Sequence, residues 1–407
     1  MKVVITGGAG FLGKKLARRI LQQRALAGPD GRPEKVSELL LFDVGKAEGA
    51  GLDDARVKAV AGDIANKDTV QSIIQGASTV FHFAAVVSAG AEADFDLGYR
   101  VNLDGTRNVL EACRALGTNP RVVFTSSLAA YGGDLPPAVT DDTPLTPQTS
   151  YGAQKSIGEF LIRDYTRKGY LRGTAVRLPT ICVRTGLPNK AASTWASSVV
   201  REPLTGVDVV CPVTPGTVMV VLSPRKTVDA FMRLHDLPPD AFGPGRTLLL
   251  NGINVTAKQL EQAVARHAGN RKVGKVVWQH DPAIQKICDG WPQGIDSARA
   301  RKLGFEIDKD LDEVVRNFIA DDIDEQIHFE AIWSNPAIRI GKPALHAMLL
   351  RWFGRLSPDG TATMVVHKHL GSDSLQRWLH EQGYPTERLA SSAGYRILHS
   401  RILHSGR

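Results

Sequence analysis

The sequence predicts an α/β protein with a doubly wound parallel sheet, and three observations support this prediction. Short apolar runs alternate with segments of helical periodicity up to about residue 180, which is typical of parallel strands covered on both faces. The first run leads directly into a glycine-rich turn. The 407 residues are 43% hydrophobic and 23% charged, which suits two or three globular domains and argues against a coiled coil, a collagen or a disordered chain.

Six strands and four helices are predicted in the first 180 residues, which we assign to one domain. The strands are Val3–Thr6, Leu39–Phe42, Val57–Val60, Thr79–Phe83, Val122–Thr125 and Gly173–Arg177. The helices are Leu12–Gln23, Val70–Ile74, Gly105–Leu116 and Tyr151–Arg167. Because each βα unit returns to the same sheet, this order predicts a parallel arrangement.

Two further regions follow. Proline and glycine interrupt residues 181–322, where helices are expected at Ala257–His267 and Asp296–Lys302, so this part is predicted to be a smaller α/β substrate-binding region. Residues 323–407 return to an α/β pattern and form an additional C-terminal fragment. That fragment ends in a tandem repeat, Arg396–Ser400 and Arg401–Ser405, which is too short for a solenoid and indicates a local duplication.

Charge and cysteine patterns exclude several classes of protein. The net charge of +8 divides into +3 for residues 323–407 and +5 for the rest. Neither part is a basic arm, so the charge does not predict a nucleic-acid partner. No apolar run reaches the roughly 18 residues of a membrane helix, and the chain opens as a strand rather than a secretion signal. The four cysteines, which have no metal-binding spacing, fit a reducing cytoplasm and predict no metal site: Cys113, Cys182, Cys211 and Cys288.

The glycine-rich turn predicts a dinucleotide site on a Rossmann sheet. Gly7, Gly10 and Gly13, with Phe11 and Leu12 between them, follow the first strand and open a helix. Glycines at these positions permit a tight turn, a close approach of backbone to pyrophosphate and close packing of helix on strand. The helix N-terminus supplies unpaired N–H groups for the phosphates. A plain βα turn is the alternative.

Asp43 lies at the carboxyl end of the second strand, where a carboxylate accepts hydrogen bonds from the adenosine ribose. It would repel a 2′-phosphate, so NAD is favoured over NADP. The sequence separation between Gly13 and Asp43 is longer than the usual 20 or so residues. We attribute the additional residues to a loop insertion at Ala25–Val36. The alternative is a capping or surface aspartate.

Tyr151 and Lys155 are four residues apart at the start of a predicted helix, so their side chains share one helix face. The ammonium and a cationic nicotinamide are expected to lower the pKa of the phenol and let it take a proton from an alcohol. Ser126 and Ser127 follow a parallel strand, whose carboxyl end faces the ligand crevice. A hydroxyl there can bind the substrate oxygen, the alternative being a turn at the strand end.

Taken in order, these motifs resemble the extended short-chain dehydrogenase/reductases over about residues 1–322. The resemblance rests on TGGAGFLG (Thr6–Gly13), Asp43, Gly62–Ile64, FHFAA (Phe81–Ala85), VNLDGT (Val101–Thr106), TSSLAAYG (Thr125–Gly132) and YGAQK (Tyr151–Lys155). It implies NAD as cofactor and homodimers, which are usual in that family. It also implies Ser127, Tyr151 and Lys155 as the catalytic residues.

The same resemblance implies a set of cofactor contacts. Asp63 and Ile64 would contact adenine, and Asn102 would support the catalytic helix. The full implied set is Gly7, Gly10, Phe11, Leu12, Gly13, Asp43, Asp63, Ile64, Ala84, Ala85, Asn102, Ser126, Tyr151, Lys155, Pro179 and Thr180.

Within that family, Val176–Ser193 and Arg201–Leu204 are similar to the D-erythronate dehydrogenases, which oxidise the C2 hydroxyl of a four-carbon sugar acid to a 2-keto acid. A small hydroxy-acid substrate needs cationic anchors, for which Arg184, Lys190 and Arg201 are available, with Asn189 for hydroxyl contacts and Ser127 for the reacting oxygen. Thr185 departs from the proline expected there. Solvated surface cations are the alternative for these residues, and a nucleotide-sugar epimerase or dehydratase is the alternative activity.

Residues Phe329–Leu379 resemble the later half of a class I methyltransferase of the ribosomal-RNA guanine-N2 type. The resemblance rests on Asn335–Arg339, the strand Thr363–His367 and Lys368–Gly371. The glycine-rich S-adenosylmethionine loop that should precede them is missing, so methyl transfer is not expected. A methyltransferase or an RNA-binding protein acting through this fragment is the third and least favoured alternative. Its three tryptophans are expected in a core rather than on a base-stacking surface: Trp333, Trp352 and Trp378.

Overall fold

The structure is a computed structural model that describes residues 1–45, 52, 54–186, 191–323, 329–336, 341–368 and 371–401. The chain divides into two units, Met1–Phe318 and Ile319–Arg407. The boundaries proposed above at residues 180 and 322 stay predictions.

The first unit contains strands and short strand pairs that alternate with helices. Its strands are β1 (Lys2–Thr6), β2 (Ala25–Ala27), β3 (Pro33–Lys35), β4 (Glu38–Asp43), β5 (Val57–Ala61), β6 (Thr79–His82), β7 (Arg121–Ser127), β8 (Val139–Thr140), β9 (Arg172–Leu178), β10 (Thr180–Ile181), β11 (Val209–Cys211), β12 (Val218–Leu222), β13 (Thr247–Leu249), β14 (Ile253–Thr256), β15 (Val276–Trp278) and β16 (Ile295–Asp296). Its helices are α1 (Phe11–Gln23), α2 (Lys67–Ile74), α3 (Ser88–Ala93), α4 (Phe95–Gly98), α5 (Gly105–Leu116), α6 (Ser150–Arg167), α7 (Thr194–Leu204), α8 (Pro224–Asp236), α9 (Ala257–His267), α10 (Pro282–Asp289), α11 (Ala298–Lys302) and α12 (Leu311–Phe318).

A seven-stranded sheet in the order β13-β9-β7-β6-β1-β4-β5 lies at the centre of this unit. All six of its neighbour pairs are parallel. Apolar side chains are buried on both faces: Leu16 and Phe231 belong to one cluster, Val109 and Ile162 to the other. The predicted doubly wound α/β fold is confirmed, and each of the six predicted strands is present.

The region after residue 180 adds smaller sheets and also completes the large one. Strands β10, β12 and β14 form one small sheet, β11 pairs with β15, and β13 lies beside β9 at the edge of the main sheet. The predicted helix Ala257–His267 has the same bounds as α9. The predicted loop at Ala25–Val36 is corrected, because β2 and β3 pair there as an antiparallel hairpin.

The second unit is a four-stranded sheet with two helices. Its elements are β17 (Phe329–Ser334), α13 (Lys342–Phe353), β18 (Leu356–His367), α14 (Ser372–Glu381), β19 (Thr386–Ser392) and β20 (Tyr395–Arg401). The strand order is β17-β18-β20-β19, with β17 and β18 parallel and the other pairs antiparallel. The first copy of the tandem repeat lies in β20, and residues 402–405 of the second copy lie outside the described residues.

The tryptophans of this unit differ from the prediction. Trp333 is 81% exposed and Trp352 is 38% exposed, so the expectation that both are core residues is wrong. Trp378 packs against the apolar core and stacks on His346 with 3.5 Å between ring centres.

In the described part of the chain, no helix has both the length and the apolarity needed to cross a bilayer.

Candidate active site

A cleft opens where β1, β6, β7 and β9 end. It encloses about 380 Å³. Thirteen of the residues predicted for the site line it: Gly7, Gly10, Phe11, Leu12, Gly13, Ala85, Ser126, Ser127, Tyr151, Lys155, Pro179, Arg184 and Arg201. Segments far apart in sequence thus meet at the carboxyl edge of the sheet, where ligands bind in open α/β folds.

The glycine turn leaves no room for side chains. Gly7 has φ +73°, and a Cβ there would lie 2.8 Å from the backbone nitrogen of Ala84. A Cβ on Gly13 would lie 2.3 Å from the carbonyl oxygen of Gly7. Helix α1 begins at Phe11, and Gly10 supplies no side-chain cap. The first N–H groups of α1 therefore remain available to a phosphate, as a bound dinucleotide requires.

Asp43 is tied to this turn. Its Oδ2 accepts a hydrogen bond from the backbone of Ala9 at 3.1 Å, and Oδ1 accepts one from Val44 at 2.8 Å. The carboxylate therefore lies next to the glycine turn, although it does not line the cavity itself. Ribose binding by Asp43 stays a prediction, and this position suits it.

Five other predicted cofactor residues do not line the cavity, namely Asn102 and the four described here. Asp63 accepts a hydrogen bond from the backbone of Ala65 at 2.9 Å and pairs with Arg100, while Ile64 is buried against Gly105. The backbone of Ala84 donates to Thr6 at 3.3 Å, and the hydroxyl of Thr180 donates to the sulfur of Met219 at 3.0 Å. Their contact with a cofactor stays a prediction.

Asn102 is buried and bridges two parts of the site. Its Oδ1 accepts from the backbone of Val86 at 2.8 Å, and its Nδ2 donates to Gln154 Oε1 at 2.7 Å. Gln154 lies between Tyr151 and Lys155 on α6. Asn102 therefore joins the segment after β6 to the helix that carries the predicted catalytic pair.

Helix α6 brings the tyrosine and the lysine together. Thr149 caps the helix by accepting a hydrogen bond from Gly152 at 3.1 Å, which places Tyr151 in the first turn. Lys155 Nζ lies 5.6 Å from the ring centre of Tyr151 and 4.9 Å from that of Phe124. Ser127 lies within hydrogen-bonding reach of the phenol.

Burial governs the pKa values of both members of this pair. Burial raises the pKa of Tyr151 above its ordinary value, while Arg184 and the Ser127 hydroxyl oppose that rise. Burial also lowers the pKa of Lys155 to about 7, and Glu159 opposes the decrease. In this structure desolvation dominates the pKa of the phenol, and the cation that acts on it is Arg184. The combined effect of Lys155 and a bound nicotinamide on that pKa stays a prediction.

A buried ion pair behind the catalytic helix was not predicted. Glu159, one turn after Lys155, pairs with Arg177 Nη2 at 2.6 Å, and the two side chains are 4% and 11% exposed. The hydroxyl of Ser126 donates to Glu159, and Arg177 also donates to the hydroxyl of Tyr131. The i,i+4 spacing from Lys155 to Glu159 was a signal in the sequence, whereas the partner on β9 was not.

A buried histidine was also missed. Thr106 donates to the carbonyl of Asn102 at 2.6 Å and therefore accepts from His82 Nε2 at 3.0 Å. His82 Nδ1 then accepts from Thr6 at 2.7 Å. Burial lowers the pKa of His82 to about 3, so the ring is neutral and joins β1 to α5. A histidine inside the apolar run FHFAA was the available signal.

Two arginines lie on the substrate side of the cleft. Arg184 follows β10, is partly buried, and interacts electrostatically with the Tyr151 phenol. Among the described residues, its guanidinium forms no ion pair. Arg201 on α7 pairs with Glu202 and donates to the carbonyl of Arg184 at 2.7 Å. Asn189 and Lys190 lie outside the described residues.

Comparison with known proteins identifies the family. The NAD dependent epimerase/dehydratase family matches residues 3–212. The chain belongs to this family. D-erythronate dehydrogenase of Cupriavidus necator is 50% identical over 322 residues, which cover 79% of this chain and 98% of that protein. The Haemophilus influenzae protein of the same name is 41% identical over 324 residues, 79% of this chain and 100% of its own length.

A solved relative supports the family fold. The nucleoside-diphosphate-sugar epimerase of Agrobacterium tumefaciens is 37% identical, with a TM-score of 0.74 over 79% of this chain and 94% of that one. NAD is the cofactor that the family uses, and the uncapped α1 N-terminus and the Cβ-free turn at Gly7 and Gly13 fit its pyrophosphate. The described residues contain no group of three or more His, Cys, Asp or Glu side chains suited to a metal ion.

Proposed function

We propose that this chain is an NAD-dependent dehydrogenase that oxidises the C2 hydroxyl of D-erythronate, or a similar small sugar acid, to the 2-keto acid. Arg184 carries the proposal. It is a partly buried cation with no ion-pair partner among the described residues, and it lines the same cleft as the Tyr151 phenol, with which it interacts electrostatically. A carboxylate bound to Arg184 would place an adjacent hydroxyl near that phenol. The names of the two relatives support the same substrate class.

Each of four cleft residues has its own role in the proposed reaction. Arg184 holds the substrate carboxylate, and Ser127 donates to the oxygen of the C2 hydroxyl. Tyr151 takes the proton from that hydroxyl, and Arg184 favours its phenolate form because its charge opposes the effect of burial on the pKa of Tyr151. The chemistry that NAD would supply when bound is acceptance of the hydride from C2. Lys155, whose Nζ is 5.6 Å from the ring centre of Tyr151, would contact the nicotinamide ribose.

A substrate screen tests the proposal directly. The purified chain is incubated with NAD and a panel of four-carbon hydroxy acids, and NADH is followed at its absorbance maximum. We expect turnover of D-erythronate and none of erythritol, a neutral polyol of the same length that lacks the carboxylate for Arg184. Absence of NADH with every acid of the panel would overturn the proposal.

A nucleotide-sugar epimerase or dehydratase is the second candidate. The solved Agrobacterium tumefaciens epimerase, at 37% identity and a TM-score of 0.74, favours it. The same tyrosine and lysine would serve that chemistry. Conversion of a uridine diphosphate sugar, together with inactivity towards four-carbon acids, would select this candidate over the first.

We also propose a cytoplasmic location and a homodimer. The four cysteines are buried and unpaired, as a reducing compartment allows. The homodimer is expected from the family resemblance. Light scattering on the purified chain gives its mass directly.

A further inference from the structure

Arg201 lines the cleft, but its hydrogen-bonding capacity is directed into the protein. Nη2 donates to Ser198 at 3.1 Å and to Glu202 at 2.5 Å, and Nη1 donates to the carbonyl of Arg184 at 2.7 Å. A guanidinium has five N–H donors, and each two-pronged grip on a carboxylate uses one Nη2 hydrogen. Both Nη2 hydrogens are already engaged. A two-pronged bond from Arg201 to a substrate would therefore displace Ser198 or Glu202.

The backbone of Arg184 is held from both sides by α7. Its N–H donates to the hydroxyl of Ser197 at 3.0 Å, and its carbonyl accepts from Arg201. Ser197 is buried. Ser197 and Arg201 are four residues apart and so share one face of the helix. The two side chains fix the peptide groups on either side of an irregular loop residue.

We propose that Ser197 and Arg201 are positioning residues for Arg184, and that Arg184 alone of the two arginines binds the substrate carboxylate. The proposal rests on the proposed function for the identity of the substrate. Two backbone bonds limit rotation of the Arg184 main chain and so hold this residue in the cleft that it lines together with Tyr151. Glu202 holds Arg201 in place and balances its charge, which leaves the positive charge of Arg184 for the substrate.

A double-mutant cycle separates positioning from direct binding. Arg184→Met is expected to raise the KM for D-erythronate about 10- to 100-fold, as for loss of charge-assisted hydrogen bonds. Arg201→Met and Ser197→Ala are each expected to raise it about 2- to 10-fold. Because both act through Arg184, neither should change the KM by more than about 2-fold when added to Arg184→Met. Multiplicative increases in the double variants would overturn the proposal.

Controls distinguish a loss of substrate binding from a loss of folding. The affinity for NAD and the melting temperature of each variant report intact folding. If Arg201→Met does not fold, Arg201→Lys replaces it, and we expect a smaller rise in KM because one ammonium still reaches the Arg184 carbonyl. A wild-type chain that fails to oxidise D-erythronate refutes the proposed function only. The cycle is then read from the calorimetric Kd of tartronate, a 2-hydroxy dicarboxylate, which needs no turnover.

Discussion

Replacing Glu159 with glutamine should destabilise the first unit and change the pH dependence of the enzyme. The substitution leaves Arg177 buried without a counter-charge, since the two side chains are only 4% and 11% exposed. Breaking one side of a buried ion pair costs about 3–5 kcal/mol. The amide oxygen still accepts one hydrogen bond, so we expect the lower end of that range. At about 2–4 °C per kcal/mol, the melting temperature should fall by roughly 6–12 °C.

The second effect concerns Lys155. Glu159 raises the pKa of Lys155 against the desolvation that lowers it from 10.5 to about 7. Lys155 has a lower pKa in the folded chain than in the unfolded chain, so the unfolded chain binds the proton more tightly. The free energy of unfolding therefore decreases as the pH falls from 10.5 towards 7. Without Glu159 the pKa falls further, so this loss extends to lower pH. As the pH is raised, Lys155 of the variant loses its proton at a lower pH than Lys155 of the wild type. Because the ammonium form is the one expected to hold the nicotinamide ribose, the variant should lose more of the wild-type kcat at pH 8 than at pH 6.

Thermal melts followed by circular dichroism, and kcat measured at pH 6 and pH 8, provide the assay. Glu111→Gln is the matched control, since Glu111 pairs with Arg114 on the surface, where the side chains are 30% and 48% exposed. An exposed pair of this kind contributes about 0–1 kcal/mol. If Glu159→Gln melts within 2 °C of Glu111→Gln and keeps the wild-type pH profile, our reasoning about the buried pair is wrong.

Three further predictions follow from the site and the units. Tyr151→Phe should lower kcat about 10²- to 10⁴-fold while the Kd for NAD, measured by fluorescence, stays within about 2-fold; equal losses of both would remove its role as the base. Asp43→Ala should reduce the preference for NAD over NADP in kcat/KM, and an unchanged ratio would exclude ribose recognition by this carboxylate. Truncation after residue 322 should leave NADH formation largely intact, because that length spans 98% of the Cupriavidus necator relative; an insoluble product would show that the rest is integral.

The fold could be predicted because its signals are local. Apolar runs gave every strand from β1 to β9 that belongs to the main sheet, and the bounds of α5 and α9 agree with the prediction. The glycine turn was also readable, since its spacing reflects a steric requirement that the structure shows at Gly7 and Gly13. Helix α11 begins at Ala298 instead of Asp296 because Ser297 caps it, accepting from Ala300 at 3.0 Å.

What could not be predicted depends on contacts between distant segments. The pKa of Tyr151 follows from burial and from Arg184, 33 positions later, and no periodicity in the sequence reports either. Glu159 and Arg177 meet only because α6 packs against β9. Trp333 was expected in a core rather than on a base-stacking surface, yet it lies on β17 with 81% of its surface exposed.

The position of β13 has a consequence for synthesis on the ribosome. Strand β9 ends at Leu178, but its outer neighbour does not begin until Thr247, about 70 residues later. At the usual 5–20 residues per second, synthesis of these residues takes several seconds. A nascent chain that has already paired β9 with β7 therefore has no neighbouring strand on the outer side of β9 during that time. During that interval the growing polypeptide presents a row of unsatisfied backbone groups, which is when a chaperone would protect it from aggregation.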